Sequence, residues 1–275
     1  MEPLDTAPLR WPLVLAGAGK MGSAMLRAWL DAGYDPQQIS VVEPHPTPEI
    51  FELARSAGFT IGPPAKPPAI LVLAMKPQSF DEASAPLSSL AGPGTLVLSI
   101  MAGKTIASLS ARLPQAGAVV RAMPNLPAAA GRGMTVLVAD PLTAQDQRAA
   151  AEALLKAMGQ AEWLASEDLI DTATAVSGSG PAYFYYLAEA LAMAGTAAGL
   201  PAGAAARLAR ATLEGAGELA FRTPGKSLAE LRQSVTSPGG TTAAALSVLM
   251  APDGLAPLME RAVRAAKQRA VELSG

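Results

Sequence analysis

Three glycines stand in the spacing Gly17-x-Gly19-x-x-Gly22, between a short apolar run, PLVLA at 12–16, and a stretch of helical composition at 23–32. The chemistry open to such a turn is the holding of a pyrophosphate. Gly17 permits a tight turn, Gly19 leaves the backbone bare where phosphates approach, and Gly22 lets the helix pack close to the strand. The start of the helix adds free N–H groups and the positive end of its dipole. The segment Gly17-Ala18-Gly19-Lys20-Met21-Gly22 therefore reads as a dinucleotide-binding turn. The competing reading is an ordinary glycine-rich strand–helix turn.

Glu43 lies about 21 residues after Gly22, at the C-terminal end of a second apolar run, 39–42, where an acidic side chain accepts hydrogen bonds from the ribose hydroxyls of NAD and repels a 2′-phosphate. A solvent-facing carboxylate at a strand end is the plainer alternative. His45, between two prolines, reads as a turn residue. Three further apolar runs end in Ala74-Met75-Lys76-Pro77, Met101-Ala102-Gly103 and Met123-Pro124-Asn125. Ligands of open parallel sheets sit outside such strand ends. Lys76 could face a phosphate, a ribose or a substrate group there, or stand in solvent. Asn125 could hold a carboxamide, or tie a neighbouring loop or turn.

Two more elements open helices. In Ser177-Gly178-Ser179-Gly180-Pro181 the hydroxyls suit helix capping and Pro181 suits a first turn. In Thr236-Ser237-Pro238-Gly239-Gly240-Thr241-Thr242, exposed N–H groups and hydroxyls would cradle a small carboxylate, or simply cap the helix. Nothing else catalytic stands out. The chain has no cysteine and one histidine, so thiolate chemistry, disulfides and multi-histidine metal sites are excluded, and no metal is expected.

These residues need elements to position them. Apolar runs at 12–16, 39–42, 70–74, 95–100, 118–122 and 134–138, separated by helical stretches, predict a mainly parallel sheet covered on both faces. From about Asp168 onward nearly everything reads as helix, at 181–199, 202–221, 228–235, 241–249 and 255–273. The organisation expected is a loose tail over 1–11, a Rossmann-type α/β domain over 12–167 and an all-α domain over 168–275. Such long apolar helices would leave much surface uncovered in a monomer, which favours a dimerisation domain over a self-contained bundle. Half of the 275 residues are hydrophobic, and the net charge is −2 with no dense basic block, so neither disorder nor nucleic-acid binding is expected. No apolar run approaches the ~20 residues that span a bilayer, and the start lacks a signal peptide's pattern. A cytoplasmic protein without membrane contact is the expectation.

Taken together, GAGKMG (17–22), LAMKP (73–77), MAG (101–103), RAMPNLP (121–127), EDLID (167–171), AVSGSGPAY (175–183) and TSPGGTT (236–242) resemble the pyrroline-5-carboxylate reductase family. The resemblance implies hydride transfer from NAD(P)H to the C=N carbon of 1-pyrroline-5-carboxylate, giving L-proline. It also implies a homodimer, with dimers often assembled further into decamers. Gly17 to Gly22 would hold the pyrophosphate. Ala74, Met75, Lys76 and Pro77, with Met101, Ala102 and Gly103, would line the nicotinamide side. Glu167, Ser177, Gly240, Thr241 and Thr242 would surround the substrate, with Thr242 hydrogen-bonded to the ring nitrogen. Two segments depart from the family. Members that use NADPH usually carry serine, asparagine or arginine after the second strand, where this chain has Glu43-Pro44. The usual short helix before the third strand is replaced by Gly62-Pro63-Pro64-Ala65-Lys66-Pro67-Pro68, which cannot be helical through its prolines. Both departures lean the expected cofactor toward NADH, or dual use with NADPH. Two other readings stay open. One is a related imine reductase or β-hydroxyacid dehydrogenase with Lys76 as acid/base. The other is a non-catalytic dinucleotide-binding dimer.

Overall fold

The computed structural model describes residues 12–274, so the tail expected over 1–11 lies outside the described residues. Eight strands form one sheet: β1 Leu13–Ala16, β2 Ile39–Val42, β3 Thr60–Ile61, β4 Ile70–Leu73, β5 Leu96–Ser99, β6 Ala118–Met123, β7 Gly133–Ala139 and β8 Gly159–Trp163. Their order is β3-β2-β1-β4-β5-β6-β7-β8. Every neighbouring pair is parallel except β6–β7, which is antiparallel. Strand order reverses between β1 and β4, and Ala16 pairs with Leu73 at the C-terminal end of that boundary. The connecting helices are α1 Lys20–Asp31, α2 Pro48–Ala57, α3 Phe80–Leu90, α4 Ile106–Arg112 and α5 Gln145–Lys156.

The uninterrupted apolar runs have a simple cause. Successive strand side chains point to opposite faces, and here both faces are covered. Leu13, Leu15, Ile70, Val72, Leu96 and Leu98 join one core with Met25, Leu26 and Trp29 of α1 and Leu154 and Leu155 of α5. Val14, Ala16, Leu71, Leu73 and Val97 join another with Phe80 and Leu87 of α3 and Leu109 of α4. All six expected strands are present. Two others carried no apolar run to announce them. β3 has only two residues, and the β8 sequence Gly-Gln-Ala-Glu-Trp alternates half-buried with exposed positions at the sheet edge. The proline-rich segment 62–68 is not helical, as its composition requires.

The chain falls into two compact units. The sheet-bearing unit runs to Gly178 and takes in residues from Lys267 onward, while Ser179–Ala266 forms the other. A short helix, α6 Leu169–Ala173, and the π-helical turn Thr174–Gly178 thus group with the sheet, beyond the expected boundary at 167–168; their Ile170 and Ala175 are fully buried. The second unit is helical: α7 Gly180–Ala197, α8 Ala202–Arg222, α9 Leu228–Ser234, α10 Thr241–Leu249 and the larger part of α11 Leu255–Ser274. α7 and α8 pair closely where Gly195 meets Ala205, so that even an added Cβ would stand 3.4 Å from the alanine's own. Among the described residues, the buried hydrophobic side chains of this unit are only Ala205 and Ala209, while Phe184, Tyr186, Leu191, Met193, Leu208, Phe221 and Val248 are exposed. This unit has no core of its own, which is the expected signature of helices that complete their burial against another chain. No described helix is long and apolar enough to cross a membrane.

In the first core, Trp29 is fully buried and its indole N–H donates to the Leu154 carbonyl at 2.9 Å. That carbonyl lies in the last turn of α5, where a helix runs out of its own N–H partners. Trp29→Phe keeps the ring but strands the carbonyl, at a cost of about 1–3 kcal/mol. A lower thermal midpoint at fixed protein concentration is the expected result, and an unchanged midpoint would show that water replaces the bond.

Candidate active site

The glycine turn joins β1 to α1 at the point where strand order reverses. Gly17 has φ +98° and donates its N–H to Val42 of β2 at 3.0 Å. A Cβ there would meet the backbone N of Met75 at 2.7 Å, just past β4. At Gly22 a Cβ would stand 2.1 Å from the Gly17 carbonyl oxygen. Gly19 differs from both: a Cβ built on it meets nothing within 4 Å, so its surroundings are open space. α1 starts at Lys20 with Gly19 as N-cap, no capping side chain and no acidic residue in its first turn. Its first N–H groups are therefore left for an outside acceptor. Ser23 steadies the turn by donating its hydroxyl to the Ala18 carbonyl at 2.7 Å. A bare backbone, an open approach and a run of free N–H donors fit a pyrophosphate.

Glu43 reaches this turn from the end of β2. Its Oε2 accepts from the Ala18 N–H at 2.9 Å and its Oε1 from the His45 N–H at 3.2 Å. The carboxylate thus shapes the glycine turn. Only the backbone of His45 enters this contact, and the residue is otherwise exposed.

The remaining strand ends carry the other expected residues of this unit. Ala74 and Met75 are half-buried, and Lys76 is exposed with no ion pair among the described residues. Met101 is buried and its N–H donates to the Ser99 hydroxyl, while Ala102 is exposed and Gly103 turns the chain at φ +72°. Asn125 uses its amide within the chain. Its Oδ1 accepts from the Met134 N–H at 2.9 Å, and its Nδ2 donates to the Ser177 carbonyl at 3.0 Å. It therefore ties the π-helical turn to the exit of β6. The capping expected of the serines does not occur. Ser177 donates its hydroxyl back to the Ala173 carbonyl, and Ser179 makes no capping bond, because the chain is already helical through α6 and the π-helical turn when α7 begins. Pro181 does sit in the first turn of α7.

Glu167 is half-buried. Its Oε1 accepts from the Arg121 guanidinium at 2.8 Å and from the Ile106 N–H, at the start of α4, at 2.9 Å. Arg121 was not singled out by residue type. The signal available was a lone arginine in the otherwise apolar segment that becomes β6.

In the helical unit, Gly239 has φ +70° and Gly240 donates its N–H to the Ser237 carbonyl at 3.0 Å, folding the 236–240 segment onto itself ahead of α10. Thr241 and Thr242 occupy the first turn of α10, and neither hydroxyl has an intrachain partner among the described residues. No acidic side chain competes for the first-turn N–H groups. This end is chemically suited to an anion with nearby hydroxyl donors.

The glycine turn yields a paired test. Gly22→Ala forces the strand–helix joint apart and is expected to lose soluble, folded protein. Gly19→Ala meets no protein atom, so the fold should keep its melting temperature while affinity for a dinucleotide, measured by fluorescence titration, falls about 10-fold or more. Equal behaviour of the two variants would contradict the assignment of Gly19 to the ligand side.

Comparison with known proteins agrees with this arrangement. The sequence model described as pyrroline-5-carboxylate reductase dimerisation matches residues 167–273, and one described as NADP oxidoreductase, coenzyme F420-dependent, matches 13–103. A pyrroline-5-carboxylate reductase of Synechocystis is 40% identical over 268 residues, covering 95% of this chain and 97% of that one. The enzyme of the same name from Pseudomonas aeruginosa is 38% identical, covering 95% and 96%. The solved structure of a pyrroline-5-carboxylate reductase from Coxiella burnetii superimposes with a TM-score of 0.89 at 34% identity, covering 96% of this chain and 99% of that one. With this identity sustained across both the nucleotide-binding and the helical regions, the chain belongs to the pyrroline-5-carboxylate reductase family.

Proposed function

We propose that this protein reduces 1-pyrroline-5-carboxylate to L-proline, with NAD(P)H as donor. The observation that carries the reading is the near full-length likeness to reductases of that name, at up to 40% identity. The glycine turn, open over Gly19, supports it. When bound, the reduced nicotinamide supplies the hydride. The imine carbon takes it, and the nitrogen ends with the proton that completes the secondary amine. Protonation already makes an imine a good hydride acceptor, so the chain must mainly orient the two partners. That modest demand agrees with a sequence without cysteine and with a single histidine.

In this reading Gly17 to Gly22 hold the pyrophosphate through the first-turn N–H groups of α1. Ala74 to Pro77 and Met101 to Gly103 border the nicotinamide, and Asn125 braces the turn that carries Ser177. Glu167, Ser177, Gly240, Thr241 and Thr242 bind the cyclic imine. The unpaired N–H groups and hydroxyls at the start of α10 receive its carboxylate, and Thr242 bonds its ring nitrogen. Lys76 has no ion pair among the described residues that would hold it as a general acid, which disfavours a hydroxyacid dehydrogenase. The uncovered helical unit assembles as a homodimer, and dimers assemble further toward a decamer. Glu43 favours NADH, because a 2′-phosphate would meet a carboxylate already fixed by Ala18 and His45.

Oxidation of NADH and NADPH in parallel with the imine tests both halves. Turnover with a higher kcat/KM for NADH is expected, and no turnover with either donor would sink the assignment. Glu43→Gln keeps an acceptor for Ala18 but removes the charge, so the NADPH-to-NADH ratio should rise about 10-fold. A strong NADPH preference in the unaltered protein would overturn the role of Glu43. Thr242→Ala should lower kcat/KM by about 10- to 100-fold with folding intact.

A further inference from the structure

β6 is an unusual place for a cation. Ala118, Val119, Val120 and Ala122 of this strand are buried hydrophobics, and Arg121 pairs in register with Ser99 of β5 on one side and Val138 of β7 on the other. Its side chain is only 6% exposed. A buried guanidinium is costly unless paired, and an apolar residue of similar volume often stabilises a fold as well or better. Stability alone therefore gives a poor account of an arginine at this position.

The details of the pairing suggest what it does. Arg121 Nη1 and the Ile106 N–H converge on the same oxygen, Oε1 of Glu167, at 2.8 and 2.9 Å. The other oxygen, Oε2, has no partner among the described residues, and the Glu167 side chain remains 28% exposed. Two donors from separate elements, a sheet strand and the start of α4, thus fix one carboxylate oxygen and leave its twin free at the surface. A carboxylate serving only to neutralise Arg121 has no need of that second clamp. Ile106 follows directly on the loop that leaves β5 through Met101 to Gly103, so the clamp also joins that loop to Glu167.

We infer that Arg121 is a positioning residue for the imine substrate, holding Glu167 so that its free oxygen faces the ligand. This rests on the reading that Glu167 contacts substrate. Arg121 itself does not touch the reacting atoms. Its effect passes through the carboxylate, which it orients.

The test uses the full-length protein and four variants: Arg121→Met, Arg121→Lys, Glu167→Gln and the double Arg121→Met/Glu167→Gln. KM and kcat for 1-pyrroline-5-carboxylate, the NADH dissociation constant and the melting temperature are measured for each. Arg121→Met is expected to raise the substrate KM about 30-fold, the scale of losing one partner of a buried charged pair, with NADH affinity changed less than about twofold. Arg121→Lys should recover part of the loss, and the double variant should be no worse than Glu167→Gln. If Arg121→Met does not fold, Arg121→Lys carries the test, since it keeps the charge and loses the guanidinium fork: a raised substrate KM with NADH affinity unchanged is expected, and a wild-type KM overturns the inference. A wild-type KM in the folded arginine variant, or losses of substrate and cofactor affinity that rise together with falling melting temperature, would overturn the inference. Glu167→Gln with raised KM beside an unaffected Arg121→Met removes the role of Arg121 alone. Glu167→Gln with a wild-type KM removes the substrate contact and the inference with it.

Discussion

No side chain fits between the carbonyl of Gly17 and the first turn of α1, where a Cβ on residue 22 would stand 2.1 Å from the oxygen. This close backbone approach is the constraint on which the nucleotide-binding half depends. It lets α1 start immediately after β1. It also leaves the first N–H groups of the helix uncapped by any side chain, next to a turn where a Cβ on Gly17 would meet the Ala74–Met75 backbone. The positive φ of Gly17, the Ser23 hydroxyl on Ala18 and the Glu43 carboxylate on the Ala18 N–H all hold the same few atoms in place. Three elements therefore agree on one turn, and the open space over Gly19 is what remains for a ligand.

Around that turn the sheet serves as a rigid frame. Its two faces are buried under different helices, so each strand end is held on both sides and its loop leaves from a defined point. The loops after β4, β5 and β6 carry polar work on this frame. Asn125 braces the π-helical turn, and Arg121 of β6 holds Glu167. π-helical turns within helices often mark functional positions, and here one links the sheet unit to the helices of the family's dimerisation segment. That segment begins at residue 167, yet α6 and the π-helical turn group with the sheet. The covalent boundary and the packing boundary thus differ by about one short helix and one turn.

The helical unit shows the opposite economy. Its helices are long and apolar, but they bury almost nothing within one chain beyond Ala205 and Ala209. Small residues such as Gly195 and Ala205 let α7 and α8 approach closely, and the larger aromatic and aliphatic side chains are directed outward. Such a unit is built for burial against another chain, in keeping with the family to which this protein belongs.

Much of this was legible in the sequence. The apolar runs located six of the eight strands, because a strand buried on both faces must be apolar throughout. The glycine spacing located the turn after β1, because no Cβ fits at Gly17 or Gly22. β3 and β8 were not legible, since an edge strand draws its stability from backbone pairing with a neighbour and needs no apolar run. Capping by Ser177 and Ser179 was a local reading that failed, because continuous helix through the π-helical turn left no free helix end there. By itself, the sequence determined the periodicities, the glycine joints, the absence of thiol chemistry and the kinship to the reductases. Only the tertiary structure decided that Asn125 braces a turn, that Glu43 grips Ala18 and that Arg121 clamps Glu167. Those pairings join residues 52, 25 and 46 positions apart, and contacts at such separations follow from how strands are ordered in the sheet, which no local pattern records.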